Sequence, residues 1–236
     1  RANRPYDGID ETMLTVGVFL VAYVVASTGL PVALHHAAHG VISPIHVALS
    51  FFCALNALIS VWEIALGVYI RRIQAEYKDL NEKYSKNPLK AVMLFFYHPL
   101  SMGDMFSLKF WTKVWSTYSL YDPSYQNNES FGFFIDVGNG WTTLVPSLLW
   151  LYAMTDHSLI SARTLGCIGI AKFWQELYGT VIYALSYFFN NRHKGRGVVE
   201  VILFVGLTNG LWFVFPLLGI YASVTMIQTD SFAVYL

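Results

Sequence analysis

Five apolar runs, each long enough to cross a bilayer, divide the chain: Thr12–Leu30, Pro44–Ile70, Phe131–Met154, Leu159–Asn190 and Val199–Ile227. A crossing needs about 20 apolar residues, and lipid leaves a single segment no choice but the helix. The first run is bounded by Gly29 and Pro31, both helix-stop signals. The fourth is longer than a bilayer requires, which predicts a helix that tilts or projects. A different pattern fills the interval between the second and third runs. Arg71–Lys83 carries opposite charges at helical-neighbour spacing, which predicts a helical continuation into water. Residues 86–130 follow, with Ala91–Tyr97 apolar but too short to cross and Phe110–Tyr125 both aromatic and basic. That composition predicts helices lying at the headgroup interface. Residues 1–11 read as a polar tail and 228–236 as a second tail.

Charge then orients the arrangement. Of 15 Lys and Arg residues, 13 fall in the N-terminal tail and in the connections after the second and fourth runs. Arg163 and Lys172 are the exceptions. Such asymmetry predicts five spans with the amino terminus inside. Only 13% of residues are charged, against roughly 25% in soluble domains, so composition agrees with a polytopic membrane protein. Zero net charge gives no reason to expect a nucleic-acid partner. Cys53 and Cys167 lie in apolar runs and read as small packing residues. Arg at position 1 is the start expected of a processed or trimmed chain. The expected organisation is a tail (1–11), a first transmembrane helix with a His-containing loop (12–44), a four-helix membrane domain with an interfacial insertion (45–227, insertion 86–130) and a second tail (228–236).

Polar residues inside the spans carry the candidate chemistry. Asn56, Ser60 and Glu63 follow at i, i+4 and i+7 and so share one face of the second helix. A carboxylate there costs at least about 2.5 kcal/mol in lipid, so that face must look into protein or a cavity. The third span adds Asp136, Asn139 and Thr143, the fourth Lys172, Glu176 and Tyr183, and the fifth Asn209 and Trp212, one turn apart. Every intramembrane ionisable group lies in spans 2–4 and none in span 1. The expected fold is therefore an all-α polytopic membrane protein in which spans 2–5 bundle around an intramembrane cavity and span 1 packs outside. Each residue also has a structural reading. Lys172 and Glu176, at i, i+4, neutralise one another; Asp136 lies near the headgroups; Asn209 is a helix–helix hydrogen bonder. His35, His36 and His39 invite a metal or an axial-ligand reading, and His35 and His39 would share a face if helical. Pro31, Gly40 and Pro44 argue instead for a loop with a solvated histidine cluster. No metal site and no cofactor is assigned.

The segment Trp115-Ser-Thr-Tyr118-Ser-Leu-Tyr-Asp122-Pro-Ser-Tyr125 resembles the W-x-x-Y-x-x-x-D-x-x-Y signature of the EXPERA superfamily, the emopamil-binding-protein-like sterol Δ8–Δ7 isomerases. Tyr178-Gly-Thr-Val-Ile-Tyr183 is similar to the family's Y-G-D-x-x-Y, with Thr180 in place of the acid. Thr208-Asn209-Gly-Leu-Trp212-Phe-Val-Phe-Pro216 is similar to its x-N-x-L-W-x-x-x-P. The resemblance covers roughly residues 45–226. It implies a cavity for a sterol or other amphiphile, with Asn56, Ser60, Glu63, Asp136, Tyr178, Tyr183, Asn209 and Trp212 as candidate ligand contacts. Glu63 and Asp136 would be the catalytic acids if the protein isomerises sterols. The isomerases, however, place a His one turn before the glutamate, and here that position is Ile59. The expectation is a membrane protein that binds a lipid, sterol or amphiphile without converting it, as the sigma-2-receptor type does. Two other readings stand beside it. One is a diverged isomerase; the other is a subunit of a larger respiratory or photosynthetic membrane complex, with lipid or pigment in the cavity. The endoplasmic reticulum and the thylakoid or mitochondrial membranes are the compartments these readings name.

Overall fold

The computed structural model describes residues 14–128 and 130–236. Every regular element among them is helical. In chain order these are α1 (Val16–His39), α2 (Pro44–Val68), α3 (Ile70–Tyr84), α4 (Pro88–Phe96), α5 (Met102–Met105), α6 (Leu108–Tyr118), α7 (Phe131–Ala153), α8 (Ala162–Phe189), α9 (Val198–Val201) and α10 (Thr208–Thr229). A π-helical segment, Ile202–Leu207, joins α9 to α10 without a break. Three helices among the described residues are long and apolar enough to cross a membrane: α1, α2 and the continuous Val198–Thr229 run. These define a membrane protein. Helices α7 and α8 have 23 and 28 residues, but Gly, Ser, Thr and Tyr dilute their apolar content.

Local sequence sets the boundaries. The Thr15 hydroxyl caps α1 by accepting from the Val18 amide, and Ser130 and Ser161 cap α7 and α8 in the same way. The expected stop at Gly29 and Pro31 does not occur. Helix α1 runs through both and ends at His39, capped by Gly40 in the left-handed conformation that glycine adopts without strain. The stretch read as a His-containing loop is thus the last two turns of a helix. The expected span start at Thr12 lies outside the described residues. The amphipathic continuation is present as α3, offset from α2 by a break at Tyr69.

Packing is concentrated in two pairs, α2 against α7 and α8 against α10, while α1 leans mainly on α2. Among its residues α1 buries only Val16 and His35. Small residues let α8 and α10 approach closely. A Cβ on Gly169 would run into the Trp150 ring and the Ser223 hydroxyl. One apolar core gathers Trp62, Trp111, Trp115, Phe133 and Tyr187 at the end where α3, α4 and α6 lie. The second gathers Phe52, Trp150, Phe173, Met226 and Tyr235 towards the opposite end. Indole donors knit α6 to its neighbours: Trp115 Nε1 donates to the Trp62 carbonyl at 2.6 Å, and Trp111 Nε1 to that of Met105 at 2.9 Å.

Candidate functional site

A cavity of about 290 Å³ lies where α2, α6, α7, α8 and the start of α10 meet. Its walls are mainly apolar and aromatic, including Ile59, Trp62, Phe95 and Val114. The polar groups on its lining come from separate helices: Glu63 from α2, Tyr118 from α6, Asp136 and Asn139 from α7, Tyr183 from α8, and Asn209 from α10. A second cavity of about 1060 Å³ lies along α8 and residues 201–213, and it shares Thr180, Tyr183 and Asn209 with the first. The two therefore adjoin. Together they make a mainly apolar chamber, in which a few polar groups converge, beside an apolar groove.

Glu63 is nearly fully buried, and its Oε2 has no hydrogen-bond partner among the described residues. A buried carboxyl oxygen without a partner is costly, so the site is one donor short as it stands. Asp136 is half-buried, and the Tyr125 hydroxyl lies against it. Burial pushes the Tyr118 and Tyr125 hydroxyls well above the ordinary phenol value, with nearby acids adding to the effect. Both remain neutral donors.

Of the eight residues picked out for ligand contact, Glu63, Asp136, Tyr183, Asn209 and Trp212 line this cavity. The other three lie elsewhere. Asn56 and Ser60 are buried in the α2–α7 seam: Asn56 Nδ2 donates to Thr143 Oγ1 at 3.1 Å and Ser147 Oγ at 2.9 Å, and Ser60 bonds Thr143 at 3.0 Å. Tyr178 is half exposed and stacks on Trp174. Trp212 spans both settings, lining the cavity while its Nε1 donates to Asn56 Oδ1 at 3.1 Å. Lys172 and Glu176 form a fully buried ion pair at 2.7 Å, with the ammonium over the Phe52 and Phe173 rings.

The sequence segment Trp115–Tyr125 does more than line the site. Asp122, fully buried, accepts from the Tyr183 hydroxyl at 2.7 Å and from Arg192 Nη1 at 2.9 and 3.1 Å. It also accepts from its own Ser124 amide, which closes the turn. This acid is a clamp between the α6–α7 connection and the end of α8. Tyr118 and Tyr125, visible as motif residues, flank that clamp and line the cavity wall. The π-helical segment sits directly before Asn209, whose Nδ2 donates to the Val205 carbonyl at 2.7 Å. Such segments are frequent at functional sites, because they turn the following side chains onto a new face.

At the far end of the molecule, His35 is buried, His39 half-buried and His36 exposed. His157, from the α7–α8 connection, joins the first two; none of these residues lines either cavity. No protein-family model matches the sequence, and comparison with curated proteins gives no match.

Proposed function

We propose that the protein is a five-span, EXPERA-like membrane protein that holds a sterol or another amphiphile in its cavity without converting it. One observation carries this reading. Parts of three segments far apart in sequence, each resembling an EXPERA motif, face one chamber together with Glu63 and Asp136. The five-span arrangement draws on the lengths of α7 and α8 and on the clustering of Lys and Arg on one side. A volume of about 290 Å³ lies at the lower edge for small-molecule pockets. The chamber takes the polar end of the amphiphile, and the adjoining groove along α8 takes its apolar remainder.

The non-catalytic part of the proposal rests on Ile59. It lies on the cavity wall one turn before Glu63, where proton transfer across a sterol ring would call for a second acid–base group. A positioned group of that kind contributes typically about 10²–10⁴-fold. An isoleucine contributes none.

Glu63 decides what the chamber prefers. A ligand amine supplies the donor that Oε2 lacks, and an aromatic face adds about 0.5–2 kcal/mol of cation–π attraction. A hydrophobic amine is expected to bind more tightly than its neutral isostere, and Glu63→Gln to remove most of that preference. Binding of the pair to purified wild type and variant, measured by calorimetry in detergent, tests this. Equal affinities throughout would remove the site, and the complex-subunit reading would take its place. Turnover of a Δ8 sterol by the purified protein would overturn the non-catalytic assignment.

A further inference from the structure

We propose that His35, His39 and His157 form a binding site for one divalent transition metal ion of the imidazole-seeking class, with Zn²⁺ as its representative. The site is independent of the cavity and shares no residue with it.

The geometry begins with α1. Because the helix continues past Pro31, His35 and His39 fall one turn apart on the same face, with ring centroids 4.7 Å apart. The α7–α8 connection then brings His157 parallel to His39, with centroids 4.4 Å apart and planes 19° from parallel. One ring nitrogen from each of the three lies within 4.8 Å of those of the other two. Zn–N bonds of about 2.0–2.1 Å put tetrahedral ligand nitrogens about 3.3 Å apart. The nitrogens must therefore draw together by up to about 1.5 Å, and the stacked His39 and His157 rings must turn so that their in-plane lone pairs converge on the ion.

The hydrogen bonds prepare the rings as ligands. Nε2 of His35 bonds the Tyr235 carbonyl at 2.9 Å, Nε2 of His39 that of Thr155 at 2.9 Å, and Nε2 of His157 that of Met154 at 3.1 Å. A carbonyl oxygen only accepts, so in each neutral ring Nε2 carries the proton and Nδ1 keeps the lone pair. Metal-binding histidines are oriented in this same way, through the second ring N–H to a carbonyl or carboxylate. His35 is 1% exposed, and its Nδ1 has no hydrogen-bond partner among the described residues. A buried lone pair with no donor is the deficit that a cation fills.

The neighbours distinguish ligands from supports. His46 stacks on His35 at 3.9 Å, but Thr155 occupies one of its nitrogens at 3.2 Å and Ser50 the other at 3.4 Å. It holds His35 in place. Phe232 stacks on His157 at 4.2 Å, which fixes that ring from its other side. The Asp156 carboxylate is engaged by Ser158 and Tyr152. Three imidazoles therefore supply the protein's ligands, leaving a fourth position for water or an exogenous ligand. Imidazole donors suit Zn, Cu, Ni and Fe over Mg or Ca.

The test uses the full chain in nanodiscs, stripped with chelator and titrated with Co²⁺ and then Zn²⁺. The expected result is saturable binding of one Co²⁺ per chain, with the intense visible d–d bands of low coordination number, displaced by Zn²⁺. His39→Gln and His157→Gln are each expected to weaken binding about 100-fold or more, since even supporting residues around a metal cost 10–100-fold. His36→Gln, on the exposed side of the same turn, leaves affinity unchanged. The two ligand variants sit on different elements, so misfolding of one leaves the other as the test, with size-exclusion profile and cavity-ligand binding as folding controls. Absence of saturable binding, or equal affinities in the His36 and His157 variants, would overturn the site.

Discussion

At the scale of the residue, Asn56 shows how a polar group deep in an apolar helix is made affordable. Its carbonyl accepts from Trp212, and its amide donates to Thr143 and Ser147. The partners do not depend on it equally. Thr143 and Ser147 also donate to the carbonyls of Asn139 and Thr143, one turn back, whereas the Trp212 indole has no other partner among the described residues. Asn56→Ala is therefore expected to cost about 1–3 kcal/mol, most of it from the orphaned indole and the vacated space. Ser60→Ala should cost less than about 1 kcal/mol, within the range of single interhelical bonds in membranes. Thermal melting in one detergent compares the two. The i, i+4, i+7 spacing made it legible that Asn56, Ser60 and Glu63 share a face. Periodicity does not say what that face meets, and here it divides, with two residues in a helix seam and one in the cavity. The Asp122–Arg192 pair was not legible at all, because its members lie 70 residues apart and neither lies within an apolar run.

Between elements, α8 packs tightly on α10, and Gly169 is one of the residues that permit it. No side chain fits there, since the Trp150 ring and Ser223 occupy the space a Cβ would need. Gly169→Val is expected to push the helices apart, with a loss of at least about 3 kcal/mol if the fold survives, above the usual overpacking range of 1–3 kcal/mol because both neighbours are fully buried. Gly29→Ala, in open space on α1, should leave stability unchanged or slightly raised. Yield and melting temperature from fluorescence-detected size exclusion distinguish these outcomes. The apolar runs made α2, α7, α8 and the last helix legible to within a few residues. They failed at the end of α1, because a proline removes one hydrogen bond from a helix without abolishing the contacts beyond it. Here those contacts are the His35 and His39 bonds to Tyr235 and Thr155. The π-helical turn was equally hidden, since nothing in Ile202–Leu207 departs from an ordinary apolar helix sequence.

Across the whole molecule, the contacts sort into two ends. The histidine rings, Thr155 and Tyr235 meet at one; Arg192, Asp122, α3 and α6 meet at the other. If the five-span reading holds, a cysteine at Ser158 and one at Gly195 will label from opposite faces of sealed vesicles. The background for that experiment is Cys167→Ala, because Cys167 is exposed while Cys53 is buried. Labelling of both from the same face would show a different number of crossings. Charge asymmetry in the sequence bears on sidedness alone, without reference to packing, and the labelling experiment is its test. The bond between His35 and Tyr235 joins residues 200 apart in sequence. A ribosome that has finished α1 must therefore complete every later helix before that histidine meets its carbonyl partner. The body of α1 can dock on α2, and His39 on Thr155, while the chain is still growing; the His35 bond alone waits for the last residues described.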